Sequence, residues 1–212
     1  NIVNMSLLKE LDIIAVCDHN STKNCKAARQ CADNKDLLVV PGMELETSEE
    51  VHLLCYFPDV IRVNKMQRIV DAALPKWANR EEIFGRQLLF DEEDTIAGTE
   101  NRLLLTAVQI NLTEAVHQVR ALGGVAIPAH INREANSIVS TLGLIPEDLH
   151  FRYLEWSEAH SNTCLQRYPY LKAYNFISSS DAHSLGRIFE RRSFIELDEY
   201  SIPCLLQTLQ GN

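Results

Sequence analysis

Imidazole and carboxylate groups follow, or lie within, five separate apolar runs of this sequence. The runs are residues 13–17, 37–40, 51–57, 125–129 and 176–180. The polar residues at these positions are Asp18, His19, Glu44, His52, His130, Asp181 and His183. Because ligands of α/β proteins gather at the carboxyl ends of the strands, these side chains are expected to converge at one edge of a sheet.

This set of donors predicts a metal site. Imidazole and carboxylate without thiolate suit zinc, manganese or iron. A carboxylate such as Glu44 can bridge two ions, and a bridged pair can activate water for displacement at phosphorus. Each residue alone has a structural explanation, since Asp181, for example, could cap a helix. The presence of four of the seven histidines in these runs favours the metal site.

The apolar runs alternate with helical patterns, which predicts an α/β fold with a parallel sheet or barrel. Two further strands are expected at residues 153–156 and 194–197. Helices are expected at residues 2–11, 21–32, 60–84, 111–122, 161–174 and 201–209. Ser21 and Asn111 are predicted N-caps.

Composition and charge limit the possible classes of protein. A chain of 212 residues with 46% hydrophobic residues forms one domain with an ample core. The net charge of −9 argues against stable nucleic-acid binding. We see no membrane span and no signal peptide. Six cysteines without a C-x-x-C pair predict a reducing, cytoplasmic location.

Five motifs resemble those of the PHP (polymerase and histidinol phosphatase) family. They are CDHNS at 17–21, PGMELE at 41–46, VHLLCYF at 51–57, PAHINR at 128–133 and SSSDAH at 178–183. The resemblance covers residues 2–189 and implies a distorted, TIM-like (β/α)7 barrel with two or three divalent ions (Zn, Mn or Fe). It further implies an enzyme, a metal-dependent phosphoesterase that hydrolyses a small phosphorylated metabolite or nucleotide.

The resemblance also implies a role for each matching residue. Glu44 would bridge two ions and act through a metal-bound hydroxide. His52 and His130 would complete the coordination of one of these ions. Asp181 would bind the other ion that Glu44 bridges.

A third ion would be held by His19 and His183. Asp18 would orient a ligand such as His19 and thereby serve catalysis. Arg133, three residues after His130, is either a bidentate ligand for the substrate phosphate or a surface arginine in a loop.

The sequence departs from the family pattern at its first residues. The family's first motif is a His-x-His at the end of the first strand, and this chain begins at Asn1 without it. We therefore expect the first strand of the barrel, with ligands of the Glu44–Asp181 ion, to be missing from this chain. One alternative is a catalytically impaired PHP module with a binding or structural role. Another is an amide or ring hydrolase built on a similar metal barrel.

Other conspicuous residues are expected to be structural. Asn20 is predicted to cap the following helix, and Arg187 to form a salt bridge. Residues 65–105 are predicted to be a helical insertion near the site mouth, within a single domain of residues 1–212. Surface positions are expected for His117, His150 and His160, packing positions for Trp77 and Trp156, and solvated positions for Glu155 and Glu158.

Overall fold

The computed structural model describes residues 1–157 and 162–211. The strands of this part are β1 (Ile13–Val16), β2 (Leu38–Glu46), β3 (His52–Tyr56), β4 (Leu88–Phe90), β5 (Ile96–Thr99), β6 (Val125–Pro128), β7 (Tyr153–Ser157) and β8 (Asn175–Ser179). The α-helices are α1 (Ile2–Leu8), α2 (Cys25–Cys31), α3 (Val60–Ala73), α4 (Glu81–Phe84), α5 (Leu112–Ala121), α6 (Ile138–Leu142), α7 (Asn162–Arg167) and α8 (Ile202–Gln210). Short 3-10 helices lie at Glu147–Leu149, Pro169–Ala173 and Leu185–Arg187.

The strands form one four-stranded sheet and two strand pairs, and no closed barrel is formed by the described residues. The large sheet has the order β1-β2-β3-β6, β4 pairs with β5, and β7 pairs with β8. Among the described strands only β1–β2 and β7–β8 pair in parallel, and the expectation of a parallel sheet is wrong at β3, which runs opposite to both β2 and β6. The reason is the connection 47–51 between β2 and β3, which is too short for a parallel crossover.

The large sheet separates two apolar cores. One core, which includes α3 and α5, contains Met43, Leu45, Leu53, Cys55, Met66, Val70, Val116 and Val119. The other core, which includes α8, contains Leu54, Tyr56, Ile127, Leu205, Leu206 and Leu209. Successive side chains of a strand point to opposite faces. Since β3 lies between the two cores, it needs apolar residues on both faces.

The polar residues of β2 and β3 lie together on one face. Glu44 is paired with Leu54 and Glu46 with His52 in the antiparallel register. All four side chains therefore lie on the face opposite Leu53. The two-residue period of β2 thus aligns two carboxylates beside an imidazole.

Two helix predictions are confirmed at their caps. The Asn111 side chain accepts a hydrogen bond from the Glu114 N–H, as expected of the N-cap of α5. At α8, the Ser201 hydroxyl accepts from the Cys204 N–H. The α2 cap is different from the prediction, because the helix begins at Cys25 and Ser21 lies instead in a bridge with Asp18.

Three further expectations differ from the structure. Residues 194–197 form no strand, although Ile195 and Leu197 pack against the α8 core. The segment expected to be a helical insertion at 65–105 contains the end of α3, the single turn α4 and the β4–β5 hairpin. Trp77 does not pack into a core, since 60% of it is exposed.

The longest described helix, α3, has 14 residues, fewer than the roughly 20 that cross a bilayer. No helix in the described ranges qualifies as a membrane span.

Candidate metal centre

Four of the predicted ligands converge at one end of the large sheet. His19 follows β1 and forms an isolated parallel bridge with Glu44 of β2, which extends the β1–β2 pairing. His52 begins β3, and its carbonyl accepts a hydrogen bond from the Ala129 N–H at 3.0 Å. This bond holds the end of β6 next to β3 and places His130 beside His52.

The most compact part of the centre is a triangle of donor atoms. His52 Nδ1 lies 2.9 Å from Glu44 Oε1 and 3.1 Å from His130 Nε2. The third side, from His130 Nε2 to Glu44 Oε1, is 3.2 Å. Ligand atoms about 2.0–2.2 Å from one zinc ion are roughly 3–3.5 Å apart, so this spacing fits an ion with three protein ligands.

The second oxygen of Glu44 faces a different imidazole. Glu44 Oε2 lies 3.6 Å from His19 Nδ1, which is too long for a hydrogen bond. His19 Nδ1 is buried and has no hydrogen-bond partner among the described residues. Two ligands of one ion can be separated by as much as about 4.2 Å, so this orphaned nitrogen also fits a metal. The donor atoms of His19, Glu44 and His52 all lie within 4.8 Å of one another.

Asp181 and His183 lie at the open side of the centre. The His183 ring centroid is 6.1 Å from that of His19, and 63% of the His183 side chain is exposed. Asp181 has a φ of 45° and forms an ion pair with Arg133, with Oδ2 and Nη2 2.5 Å apart. Positive φ is costly for a residue other than glycine, and such strain is typical of functional sites.

Burial and neighbouring charges set the ionisation of the centre. Burial opposes ionisation of Glu44, but hydrogen bonds with His130 and His52 outweigh it and hold the pKa of Glu44 well below its ordinary value. Burial also favours neutral His52, but Glu44 and Glu46 outweigh this and raise the pKa of His52 to about 9. Burial lowers the pKa of His19. Glu44 is therefore a carboxylate at neutral pH, which is the form that binds cations.

Asp18 and Asn20 lie behind the centre. The Asp18 side chain accepts a hydrogen bond from Asn24 at 2.8 Å, and burial raises the pKa of Asp18. Asn20 does not cap a helix. Its amide donates to the Leu104 and Thr106 carbonyls, both at 2.8 Å, and so ties the loop after β5 to the site.

A cavity of about 340 Å³ opens over the centre. Its walls include His19, Glu44, His52, Asp181 and His183. Two half-exposed residues, Leu105 and Arg133, also border it. A cavity of this size is at the small end for ligand sites.

Neither a protein-family model nor a curated protein matches the sequence. The lesion-specific Endonuclease Q from Pyrococcus furiosus has a similar structure, with a TM-score of 0.63 and 15% identity over 99% of this chain and 50% of that chain. A candidate metal-dependent phosphoesterase from Bifidobacterium adolescentis aligns with a TM-score of 0.61 and 16% identity, over 94% of this chain and 87% of that chain. An amidohydrolase from Chromobacterium violaceum, solved with sulfate and no metal, aligns with a TM-score of 0.60 and 15% identity. The alignment covers 100% of this chain and 90% of that chain.

The chain has a PHP-like fold. It spans about half the length of Endonuclease Q. A second Endonuclease Q structure holds a 27-mer duplex substrate with an abasic lesion at its active site. The PHP-like fold thus occurs in a protein that acts on DNA.

Two acidic residues near the centre were missed or misplaced by the sequence analysis. Glu46 was missed, and its Oε2 lies 3.8 Å from His52 Nε2. The sequence signal for it was its position two residues after Glu44 in the same strand, which places both side chains on one face. Glu155 is not solvated, because only 2% of it is exposed, and burial raises the pKa of its carboxyl group.

The remaining predictions concern residues that were expected to be structural. Trp156 packs as predicted, 2% exposed and stacked on Phe176 with ring centroids 4.7 Å apart. His117 and His150 are exposed, as expected. Glu158 and His160 lie outside the described residues.

Proposed function

We propose that this chain is a metal-dependent hydrolase that cleaves the phosphate ester of a small phosphorylated metabolite or nucleotide. The observation that supports this most directly is the triangle of donor atoms from Glu44, His52 and His130. Glu44 offers its second oxygen to His19, as a bridging carboxylate does. The PHP-like fold, shared with an endonuclease and a candidate phosphoesterase, supports the same reaction class.

Two or three divalent ions would occupy the centre. Glu44, His52 and His130 would hold one ion, and Glu44 would share another with Asp181. His19 and His183 would complete the open side. The donors are imidazole and carboxylate, so zinc, manganese and iron are the candidates. Such ions supply a nucleophilic water at neutral pH and polarise the phosphoryl oxygen.

The side chains around the ligands would orient the substrate and the ligands. Arg133 Nε donates to Ser157 Oγ at 3.0 Å, which holds the guanidinium at the cavity. From there it would hold a phosphoryl oxygen, exchanging its Asp181 partner for substrate. Asp18 would act indirectly, since its carbonyl accepts from the Glu44 N–H at 3.2 Å and so helps to position Glu44.

The net charge favours a small substrate over a nucleic acid. The net charge of −9 would repel a nucleic-acid backbone away from the metals. Because Endonuclease Q binds duplex DNA with the same fold, an abasic duplex belongs in the substrate panel.

An amide hydrolase is the second candidate. The similarity to the amidohydrolase from Chromobacterium violaceum favours it, because an activated water can attack a carbonyl carbon as well as phosphorus. The impaired module that lacks the His-x-His motif would bind metal or ligand without turnover. A substrate panel separates these candidates.

A link between the large sheet and the β7–β8 pair supports an open, barrel-like arrangement of the strands. The Ile131 N–H, just past β6, donates to the Glu155 carbonyl of β7 at 2.9 Å, which links the large sheet to the β7–β8 pair. A cavity of about 1770 Å³ lies between β1 and β8. On this proposal β1, β2, β3, β6, β7 and β8 would form part of the wall of a distorted barrel that the described residues leave open.

Six free cysteines fit the proposed cytoplasmic location.

The test begins with elemental analysis of protein purified without chelator. Two or three Zn, Mn or Fe ions per chain are expected, and Glu44→Gln should lose most of them. Glu100→Gln is the matched control, because Glu100 is also buried, at 8% exposed, but lies outside the centre. A Glu44→Gln variant that keeps its full metal content would remove Glu44 from the proposed role.

Activity is then measured on the metal-loaded protein. The panel contains a phosphomonoester, a phosphodiester, a nucleotide, an abasic duplex and several amides. Turnover of phosphate esters with loss in Glu44→Gln is expected. Turnover confined to amides would select the second candidate, and metal binding without any turnover would select the impaired module.

A further inference from the structure

Hydrogen bonds to β7 hold the loop that contains His130. Asn132 Nδ2 donates to the Ser157 carbonyl at 2.9 Å, and the Ser157 N–H donates to Asn132 Oδ1 at 3.1 Å. Together with the Ile131–Glu155 backbone bond, these contacts fix the loop from Ile131 to Arg133 along β7. The loop therefore has little freedom except at His130 itself.

The Glu155 side chain of β7 binds the His130 backbone itself. Its Oε2 accepts a hydrogen bond from the His130 backbone N–H, and its Oε1 accepts one from the Ser179 hydroxyl of β8. Only 2% of Glu155 is exposed, and both of its oxygens are bonded. A carboxylate is costly to bury, and a charged acceptor forms stronger hydrogen bonds than a neutral one.

The residue that Glu155 holds is strained. His130 has a φ of 31°, in the left-handed region that residues other than glycine rarely adopt. Such a conformation is strained and persists only where surrounding contacts enforce it. The ring of His130 supplies the Nε2 corner of the donor triangle, 3.2 Å from Glu44.

We propose that Glu155 is a positioning residue for the metal centre, which holds the strained backbone of His130 so that Nε2 keeps its place beside Glu44 and His52. This role rests on the proposed metal-dependent function. Glu155 is assigned this role rather than that of a ligand because both of its oxygens are engaged in hydrogen bonds with His130 and Ser179.

Three substitutions of Glu155 test whether its hydrogen-bond acceptor or its negative charge holds His130 in place. Glu155→Ala removes the acceptor. Glu155→Gln keeps it, because the amide oxygen can accept from His130 while its NH2 donates to the Ser179 oxygen. Glu155→Asp keeps the charge but shortens the side chain. Ser179→Ala is the matched control, since it removes only the other hydrogen bond of Glu155.

The first measurement is the affinity for Zn²⁺ and Mn²⁺, by competition with a chelator. Glu155→Ala and Glu155→Asp should lose about 10- to 100-fold in affinity, as expected when a group that orients a ligand is removed. Glu155→Gln and Ser179→Ala should stay close to wild type. Equal affinity in Glu155→Ala and wild type would overturn the proposal, and so would a loss in Glu155→Gln matching that in Glu155→Asp.

The second measurement needs no metal. Hydrogen exchange of the His130 amide in the metal-free protein should accelerate in Glu155→Asp and remain slow in Glu155→Gln. An unchanged rate in Glu155→Asp would refute the positioning role. Failure of the wild type to bind either ion would refute the proposed function instead, while this exchange measurement still decides the role of Glu155. If Glu155→Ala does not fold, the Asp and Gln variants decide both measurements.

Discussion

The buried carboxylate of Glu100 connects the β4–β5 hairpin to two other elements. It accepts hydrogen bonds from Lys23 Nζ, which precedes α2, and from the Arg102 N–H at 2.9 Å. Arg102 Nη2 in turn lies 2.5 Å from Asp71 Oδ1 of α3. Replacing Glu100 with Gln removes the central charge of this network at nearly constant size.

The lowered pKa of Glu100 sets how much stability Glu100→Gln should lose. Burial opposes its ionisation, but Arg102 and Lys23 outweigh burial and lower the pKa from 4.5 to about 2. This lowering corresponds to roughly 3 kcal/mol at most. Because Lys23 and Arg102 are each 30% exposed, water screens the network, and about 1–2 kcal/mol is the expected loss in Glu100→Gln at pH 7.

The sign of the pH dependence follows from the lowered pKa. The stabilisation by Glu100 is complete above pH 4.5 and disappears as the pH falls from 4.5 towards about 2. The free energy of unfolding in urea should therefore differ between wild type and Glu100→Gln at pH 7, and the difference should fall below half by pH 3. Glu93→Gln, an exposed change on the same hairpin, is the control. A difference that is equal at both pH values, or absent at pH 7, would refute this account.

Two further predictions concern the substrate and the core. Arg133→Ala should raise the KM for a phosphate ester roughly tenfold with unchanged metal content, whereas Arg80→Ala, on the surface, should not; steady-state kinetics and elemental analysis test this. Gly124→Ala should lower the free energy of unfolding by about 1–3 kcal/mol, because a Cβ there would lie 2.5 Å from the Tyr56 carbonyl oxygen. Gly98→Ala meets only an ordinary 3.7 Å contact and should be tolerated in the same urea titration.

Much of the order of the elements, and the proximity of several candidate ligands, could be predicted from the sequence. The apolar run of β3 has side chains in both cores, so its continuous hydrophobicity was a reliable sign of a buried strand. Asn111 and Ser201 are polar groups just before apolar helical patterns, and each caps its helix. His52 and His130 were predicted to be neighbours because they occur in or just after strands, and their ring centroids are 5.0 Å apart.

The direction of the strands and the hairpin could not be predicted in this way. Parallel and antiparallel pairing of β2 with β3 require the same apolar residues, and only the short connection between them favours the antiparallel form. Residues 194–197 form a short apolar run typical of a strand, but Ile195 and Leu197 pack on the α8 core without a strand partner. A local pattern reports burial and does not report which neighbour provides it.

The sequence by itself determined which side chains could bind a metal, because the residue types and their positions after strands are local properties. Tertiary structure alone decided how far apart the donor atoms lie and which groups support them. Glu155 is distant in sequence from His130, and as a lone glutamate it is expected to be solvated. Its burial and its bond to the His130 N–H exist only because β6, β7 and β8 are packed side by side.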